Sequence, residues 1–178
     1  ILGDPNLDPE EIETFELGID AKVNKRTHFR ITGFNNNISD AINYVGGKAT
    51  NADKVKITGL ELELDSRLRN GSSFEFNYTY QYPVDEETGR RSADIPLHKV
   101  NASFNYHHSQ YFNAYVGTLY RSSLGRIESD ARVDVPDTIT VDLALNWKQV
   151  IGVFDITASI YNLFDEEYVD AAIDSSPN

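Results

Sequence analysis

Four histidines, a run of alternating carboxylates and a set of arginines and tyrosines are the side chains here with chemistry to offer. His107 and His108 adjoin, as a metal or haem pair might. They fall in a short turn on this reading, where a solvated pair is the plainer role, and His28 and His98 have no partner at ligand spacing. Glu61, Glu63 and Asp65 share one face if their segment is a strand, with Glu75 on the next. Such carboxylates can bind cations or do acid–base work; the simpler reading is a wet wall neutralised by Arg67, Lys99 and Arg121. Ser109 follows His108, but neighbouring side chains on a strand or turn point apart, and no Gly-x-Ser-x-Gly occurs. "FDEEYVDAAID" lacks Asp-x-Asp-x-Asp-Gly spacing and reads as a solvated loop. Gly46-Gly47 has no strand–loop–helix context and reads as flexibility, not a phosphate cradle. No catalytic, cofactor or metal site is expected.

The elements that position these residues follow from composition and period. The chain has 178 residues, enough for one domain, no Cys for a disulfide or thiolate site, and no Met. A net charge of −12 argues against a nucleic-acid partner, which needs clustered Lys and Arg. No apolar run approaches the roughly 18–20 residues of a membrane-crossing helix. The opening "ILGDPNLDPEE" has no basic n-region and no apolar h-region, so the expectation is no signal peptide and a processed chain or fragment.

Period-2 alternation marks eight strands and no helix. In "SSFEFNYTYQY" the residues Phe74, Phe76, Tyr78, Tyr80 and Tyr82 take one parity and Ser73, Glu75, Asn77, Thr79 and Gln81 the other. "ETFELGID", "THFRITGF", "GLELELDSRL", "KVNASFNYH", "TITVDLALNWK" and "VFDITASIYNLF" alternate likewise; "YFNAYVGTLYR" has aromatics on both parities. The apolar phase flips near Thr58-Gly59. The favoured reading is a β-bulge at Gly59; the other is that Lys54–Ile57 lie beyond the membrane. Four tight connections ("AKVNKR", "RNGS", "HHSQ", "KQVIG") alternate strictly with long ones: about 35–53, 83–97, 122–136 and the tail from Asp165. All short turns then lie at one end of an up-and-down sheet and all long loops at the other, as in transmembrane barrels.

A soluble barrel is apolar inside; an outer-membrane barrel is apolar outside. Three features favour lipid: a polar parity rich in Ser, Thr, Asn and Gly, the sorted loops, and Tyr and Trp near strand ends, as in membrane-interface girdles. Those rings are Tyr78, Tyr80, Tyr82, Tyr106, Tyr111, Tyr120, Trp147, Tyr161 and Tyr168. No Lys or Arg sits in the apolar parity of the best strands, where at mid-bilayer it would cost about 2–4 kcal/mol.

Four segments together resemble the TonB-dependent outer-membrane receptors. "GDPNLDPEEIETFELGID" is similar to their Asn-Pro-x-Leu-x-Pro-Glu lead into a barrel strand, and "NADKVKITGLELELD" to their Gly-x-Glu-hydrophobic strand. "DIPLHKVNASFNYH" is similar to their Pro-x-His-Lys strand start, and "ASIYNLFDEEYVD" to their Asn-Leu-Phe-Asp-x-x-Tyr element. The order matches over almost the whole chain. The resemblance implies an all-β, antiparallel up-and-down transmembrane segment of about eight strands from a barrel of about 22, in the outer membrane of a Gram-negative cell. Residues 1–178 would be part of the barrel domain, with the plug domain and final strand outside it. It implies import of a scarce nutrient, a ferric siderophore foremost, driven by TonB through the missing plug. No enzyme activity is expected. The competing readings are a complete eight-stranded outer-membrane barrel and a soluble β-rich binding module. An open arc of eight strands would leave two edges unpaired and would have to close, dimerise or swap strands if isolated.

Ligand contacts in such a receptor would come from loop tips and the upper lumen: Asn43, Tyr44, Tyr82, Arg90, Arg91, Arg121, Arg126 and Arg132. Guanidinium pairs bidentately with the oxygens of an anionic chelate.

Overall fold

The computed structural model describes residues 4–45, 48–51, 54–93, 95–126 and 133–168. Ten strands follow in order: β1 (Glu11–Asn24), β2 (Thr27–Ser39), β3 (Ile42–Val45), β4 (Lys48–Asn51), β5 (Val55–Arg67), β6 (Ser73–Asp85), β7 (His98–Ser109), β8 (Phe112–Arg121), β9 (Thr138–Val150) and β10 (Phe154–Ile160). No helix occurs among the described residues. Eight strands form one antiparallel sheet in the order β1-β2-β5-β6-β7-β8-β9-β10, and β3 and β4 make a separate hairpin. β1 and β10 each pair on one side only and not with each other, so the sheet is an open arc, not a closed eight-stranded barrel.

The alternation read from the sequence becomes two unlike faces. One outer row runs Ile19–Ile31–Leu62–Tyr78–Val100–Tyr120–Ile139; the next runs Ala21–Phe29–Leu64–Phe76–Ala102–Thr118–Val141. The opposite face carries Asp20–Arg30–Glu63–Asn77–Asn101 at the level between them. Among the described residues no second layer covers either face. The buried apolar side chains among the described residues are Ala49, Ile57, Leu124 and Val135, all toward the long-loop end. Phe76, Leu62 and Leu143 therefore do not meet in a sealed core, which removes the soluble sandwich or lipocalin-like reading.

Two aromatic groups bracket the apolar face. Toward the long loops the Tyr78 hydroxyl meets His98 Nδ1 at 2.9 Å, and the Tyr80 and His98 ring centroids are 5.3 Å apart. Toward the short turns the Tyr106 hydroxyl meets His108 Nδ1 at 3.2 Å, and Phe112 and Trp147 lie 4.8 Å apart. His98 and His108 are ten residues apart on one strand. At about 3.4 Å per residue and a tilt of about 40°, that is about 26 Å along the membrane normal. The apolar band of an outer-membrane barrel is about 25 Å tall. Between the two histidines the outer face is Val100, Ala102, Phe104 and Tyr106.

Four local expectations are corrected. No bulge occurs at Gly59: β5 pairs in unbroken register with both β2 and β6. Register is continuous through the phase flip, so Val55 and Ile57 fall on the inward parity toward the long-loop end, where Ile57 is buried. The inward position opposite Gly59 is Phe34, and a Cβ on Gly59 would lie 2.7 Å from Phe34 Cε1 and inside contact distance of Phe34 Cζ and the Tyr80 carbonyl. Glycine is there to admit a ring, not to kink the strand. Second, the 35–53 connection is not all loop: β2 continues to Ser39 because Asn35, Asn36 and Asn37 pair with Thr58, Ile57 and Lys56, and β3–β4 follow. Third, β10 stops at Ile160, short of Phe164. Asn162 adopts φ 50°, and its amide side chain both accepts from Glu166 N–H and donates to Glu166 C=O, each at 3.0 Å, closing a turn. Fourth, His107 and His108 lie in β7, not in the turn.

The short connections are all at one end, as expected, and their polar side chains close them. Arg26 N–H donates to Asn24 Oδ1, Ser72 N–H to Asn70 Oδ1, and Tyr111 N–H to Ser109 Oγ. These are Asx- and Ser-type turns.

Candidate functional site: the polar face and its loop-side rim

The polar face is built by whichever residues fall opposite the apolar parity. At its β1 edge Asp20 holds two β2 side chains. His28 Nε2 is 2.6 Å from Asp20 Oδ1, and Arg30 donates two N–H bonds to Asp20 Oδ2 at 2.9 and 3.2 Å. Arg30 also lies 3.6 Å from Glu63 and His28 Nδ1 3.9 Å from Asp65. The carboxylate run expected on β5 thus finds its ion-pair cations on β2, whereas Arg67, anticipated for it, enters no ion pair among the described residues. All these groups are at least partly exposed, so the network ties strands together and wets the wall.

Further along, neutral amide and hydroxyl pairs join the charged groups. Asn113 Nδ2 reaches Asn105 Oδ1 at 3.5 Å, and Thr157 Oγ1 donates to Asn146 Oδ1 at 2.9 Å. Tyr115, the aromatic that broke the parity of β8, turns inward. A Cβ on Gly117 would meet Tyr115 Cζ at 2.9 Å, so the ring covers the glycine. His107 and His108, on opposite parities, cannot share a ligand: His108 lies against Tyr106 and Phe112 on the outer face. Ser109 is spent on its turn.

At the loop end the expected contact residues separate. Arg121 faces inward beside Lys99, its directly paired neighbour across β7–β8, and donates to Thr138 Oγ1 at 3.2 Å. A cleft there is lined by Leu119, Arg121, Thr138, Thr140 and Tyr168. Tyr168, expected as a membrane-girdle ring, instead stands on the polar side next to Arg121. Arg126 Nε donates to Val133 C=O at 2.8 Å, inside a loop whose Leu124 and Val135 exchange backbone hydrogen bonds and are buried. Arg90 and Arg91 are exposed on the loop after β6, where Arg91 bridges back to Val84. That loop is shaped by Asp85, whose carboxylate accepts N–H bonds from Thr88 at 2.8 Å and Glu87 at 2.9 Å. The Thr88 N–H foremost, then that of Glu87, holds the Asp85 carboxyl below its usual 3.8. Tyr82 lies opposite Thr58 on the parity of Tyr78 and Tyr80, the outer face. Asn43 and Tyr44 are in β3, paired with Thr50 and Ala49. Arg132 lies outside the described residues, as does the end of the acidic tail. The structure therefore gathers Arg121, Lys99 and Tyr168, while Arg90–Arg91, Arg126 and Tyr82 occupy other loops or the other face.

This architecture has close parallels. An iron-regulated outer membrane virulence protein of Vibrio cholerae serotype O1 is 24% identical over 190 residues, covering 94% of this chain and 29% of that protein. The chain thus spans about 29% of the length of this curated relative. The ferric-catecholate import receptor Fiu of E. coli K12, in its closed form, superposes with a TM-score of 0.72 at 21% identity, over 93% of this chain and 25% of Fiu. The ferric yersiniabactin uptake receptor FyuA of Yersinia pestis gives 0.74 at 21% identity, over 88% of this chain and 25% of FyuA. The family described as "TonB dependent receptor-like, beta-barrel" matches residues 1–163. A two-faced antiparallel wall bracketed by aromatic girdles, matched over nearly its whole length, belongs to the TonB-dependent receptor-like β-barrel family of the outer membrane.

Proposed function

We propose that the chain is part of the barrel wall of an outer-membrane receptor that imports a metal chelate, a ferric siderophore, using energy delivered by TonB through a plug domain elsewhere in the receptor. The observation that carries this reading is the pairing of a lipid-facing apolar band about 26 Å tall with a wet inner face that opens toward long, side-chain-rich loops. Such a wall lines a path for a polar solute and performs no bond chemistry itself. The relatives' names, which concern iron regulation and ferric-chelate import, agree with it.

In this reading Arg121, with Lys99 and Tyr168, meets the ligand at the upper wall, and Arg90, Arg91 and Arg126 act from the loops. Tyr44 and Arg132 stay assigned on sequence grounds alone. The outward parity of Tyr82 favours the membrane interface over the ligand.

Uptake of radiolabelled iron chelates by iron-starved cells carrying the full receptor tests the reading. Uptake should require TonB and fall when Arg90, Arg91 and Arg126 are together changed to Ala. TonB-independent uptake, or none for any chelate, would overturn the function; unchanged affinity in the triple variant would remove those arginines.

A further inference from the structure

The short-turn rim holds a concentration of positive charge that the uptake reading does not use. The chain carries 16 Lys and Arg against 28 Asp and Glu. Five of those cations, Lys22, Lys25, Arg26, Arg67 and Arg69, nevertheless fall in or beside two neighbouring short turns, β1–β2 and β5–β6. The turns touch: Arg67 N–H donates to Arg26 C=O at 2.9 Å, and the Thr27 and Ser66 hydroxyls are 3.0 Å apart. Lys22, Lys25, Arg26 and Arg67 line one cleft between them, with Asp65 and Glu75 also on its wall. Among the described residues none of the five enters an ion pair. The other two short turns carry a single cation, Lys148.

Unpaired like charges held side by side repel, and a counter-anion offsets that cost. The faces say from which side the anion comes. Lys22 and Arg67 fall on the parity of Asp20 and Asp65, the wet face. The outer parity at the same rim is mostly apolar: Val23 continues Ile19 and Ala21, Leu68 continues Leu62 and Leu64, and Phe74 stacks near Phe76, with the Thr27 and Ser66 hydroxyls between them. Lysines and arginines serving lipid headgroups would stand on that outer side. Lys22 and Arg67 stand away from it, and Lys25, Arg26 and Arg69 are exposed at the turn tips.

We infer that this rim is a docking surface for an acidic polypeptide segment of a separate protein on the water side of the short turns. Charge complementarity carries the assignment: five cations outside any ion pair among the described residues, against the two carboxylates of Asp65 and Glu75 on the cleft wall, converge on a chain that is otherwise strongly acidic. The inference rests on the outer-membrane reading only for which compartment the rim faces, the periplasm.

The test is binding of a fluorescent octa-glutamate peptide to the full receptor in nanodiscs of zwitterionic lipid, which expose both rims. Binding should weaken with salt and fall at least about tenfold in the exposed-tip variant K25E/R26E/R69E, with Lys148→Glu unchanged. If charge reversal impairs assembly, the Gln versions at the same three positions should weaken binding in the same direction. Absence of binding, or binding indifferent to these substitutions, overturns the proposal. So does a result in which the peptide fails to bind while fluorescent phosphatidylglycerol is enriched around the receptor in a Lys25-, Arg26- and Arg69-dependent way, because the occupant is then lipid. Maleimide labelling of Asn70→Cys in intact cells separately tests sidedness: reaction without permeabilisation would sink the periplasmic placement and leave the binding result standing.

Discussion

Gly59→Ala isolates one contact in the wall. The added methyl would sit 2.7 Å from Phe34 Cε1 and closer still to Phe34 Cζ and the Tyr80 carbonyl oxygen. The ring is a side chain and can swing away, but Tyr80 C=O belongs to the adjacent strand, fixed by the Leu60–Tyr80 and Gly59–Gln81 pairing. Overpacking of this kind costs about 1–3 kcal/mol. At Gly33, which lies on the outer face, the nearest atoms to an added Cβ are backbone oxygens 4.0 Å away, so Gly33→Ala should be neutral or stabilising by about 0.4–1 kcal/mol through the unfolded chain. Urea unfolding of the full receptor in lipid, followed by tryptophan fluorescence, would compare the two. In the background Phe34→Ala the Gly59→Ala penalty should shrink without vanishing, since the Tyr80 carbonyl remains. A receptor that accepts Ala at 59 as readily as at 33 would refute the ring-over-glycine account and reopen a bulge.

Two further outcomes follow from the turns. Asp85 has a depressed folded-state pKa, so its support of the 85–89 turn is present above the ordinary value of 3.8 and is lost as pH falls through the lowered one. Asp85→Ala should speed tryptic cleavage at Arg90 and Arg91 at neutral pH, Asp85→Asn should do so less, and equal rates in all three would count against the Asp85 cap. At Asn162, Gly keeps the φ of 50° but loses the two Glu166 bonds, while Ala loses both bonds and strains the backbone. Stability by urea should therefore rank Asn, Gly, Ala, with Ala below Gly by about 1 kcal/mol; Ala equal to or above Gly would contradict the turn.

Periodicity placed all eight wall strands, because a side-chain period of two survives any detail of packing when each face meets a uniform medium. It failed where a third element or a loop intervenes. Asn35–Asn37 look like turn formers and yet extend β2, since Lys56–Ile57–Thr58 offer them a ladder. Gly59 read as a bulge from sequence, whereas it is covered by a ring on the neighbouring strand. Tyr168 was indistinguishable from a girdle tyrosine until the turn at Asn162 brought the tail over Thr138. Among the expected contact residues, parity alone could have separated Tyr82 from Arg121. Parity could not place Arg126, whose guanidinium is used by its own loop.

Spin labels introduced singly at positions 73–82 of the full receptor in bilayers would measure directly which medium each face of β6 meets. Positions 74, 76, 78 and 80 should collide with oxygen dissolved in lipid, and 75, 77, 79 and 81 with a water-soluble nickel chelate. Labels at 76 and 78 shielded from both, or open to the nickel reagent, would show that the apolar face is a protein core or a wet surface and would end the account.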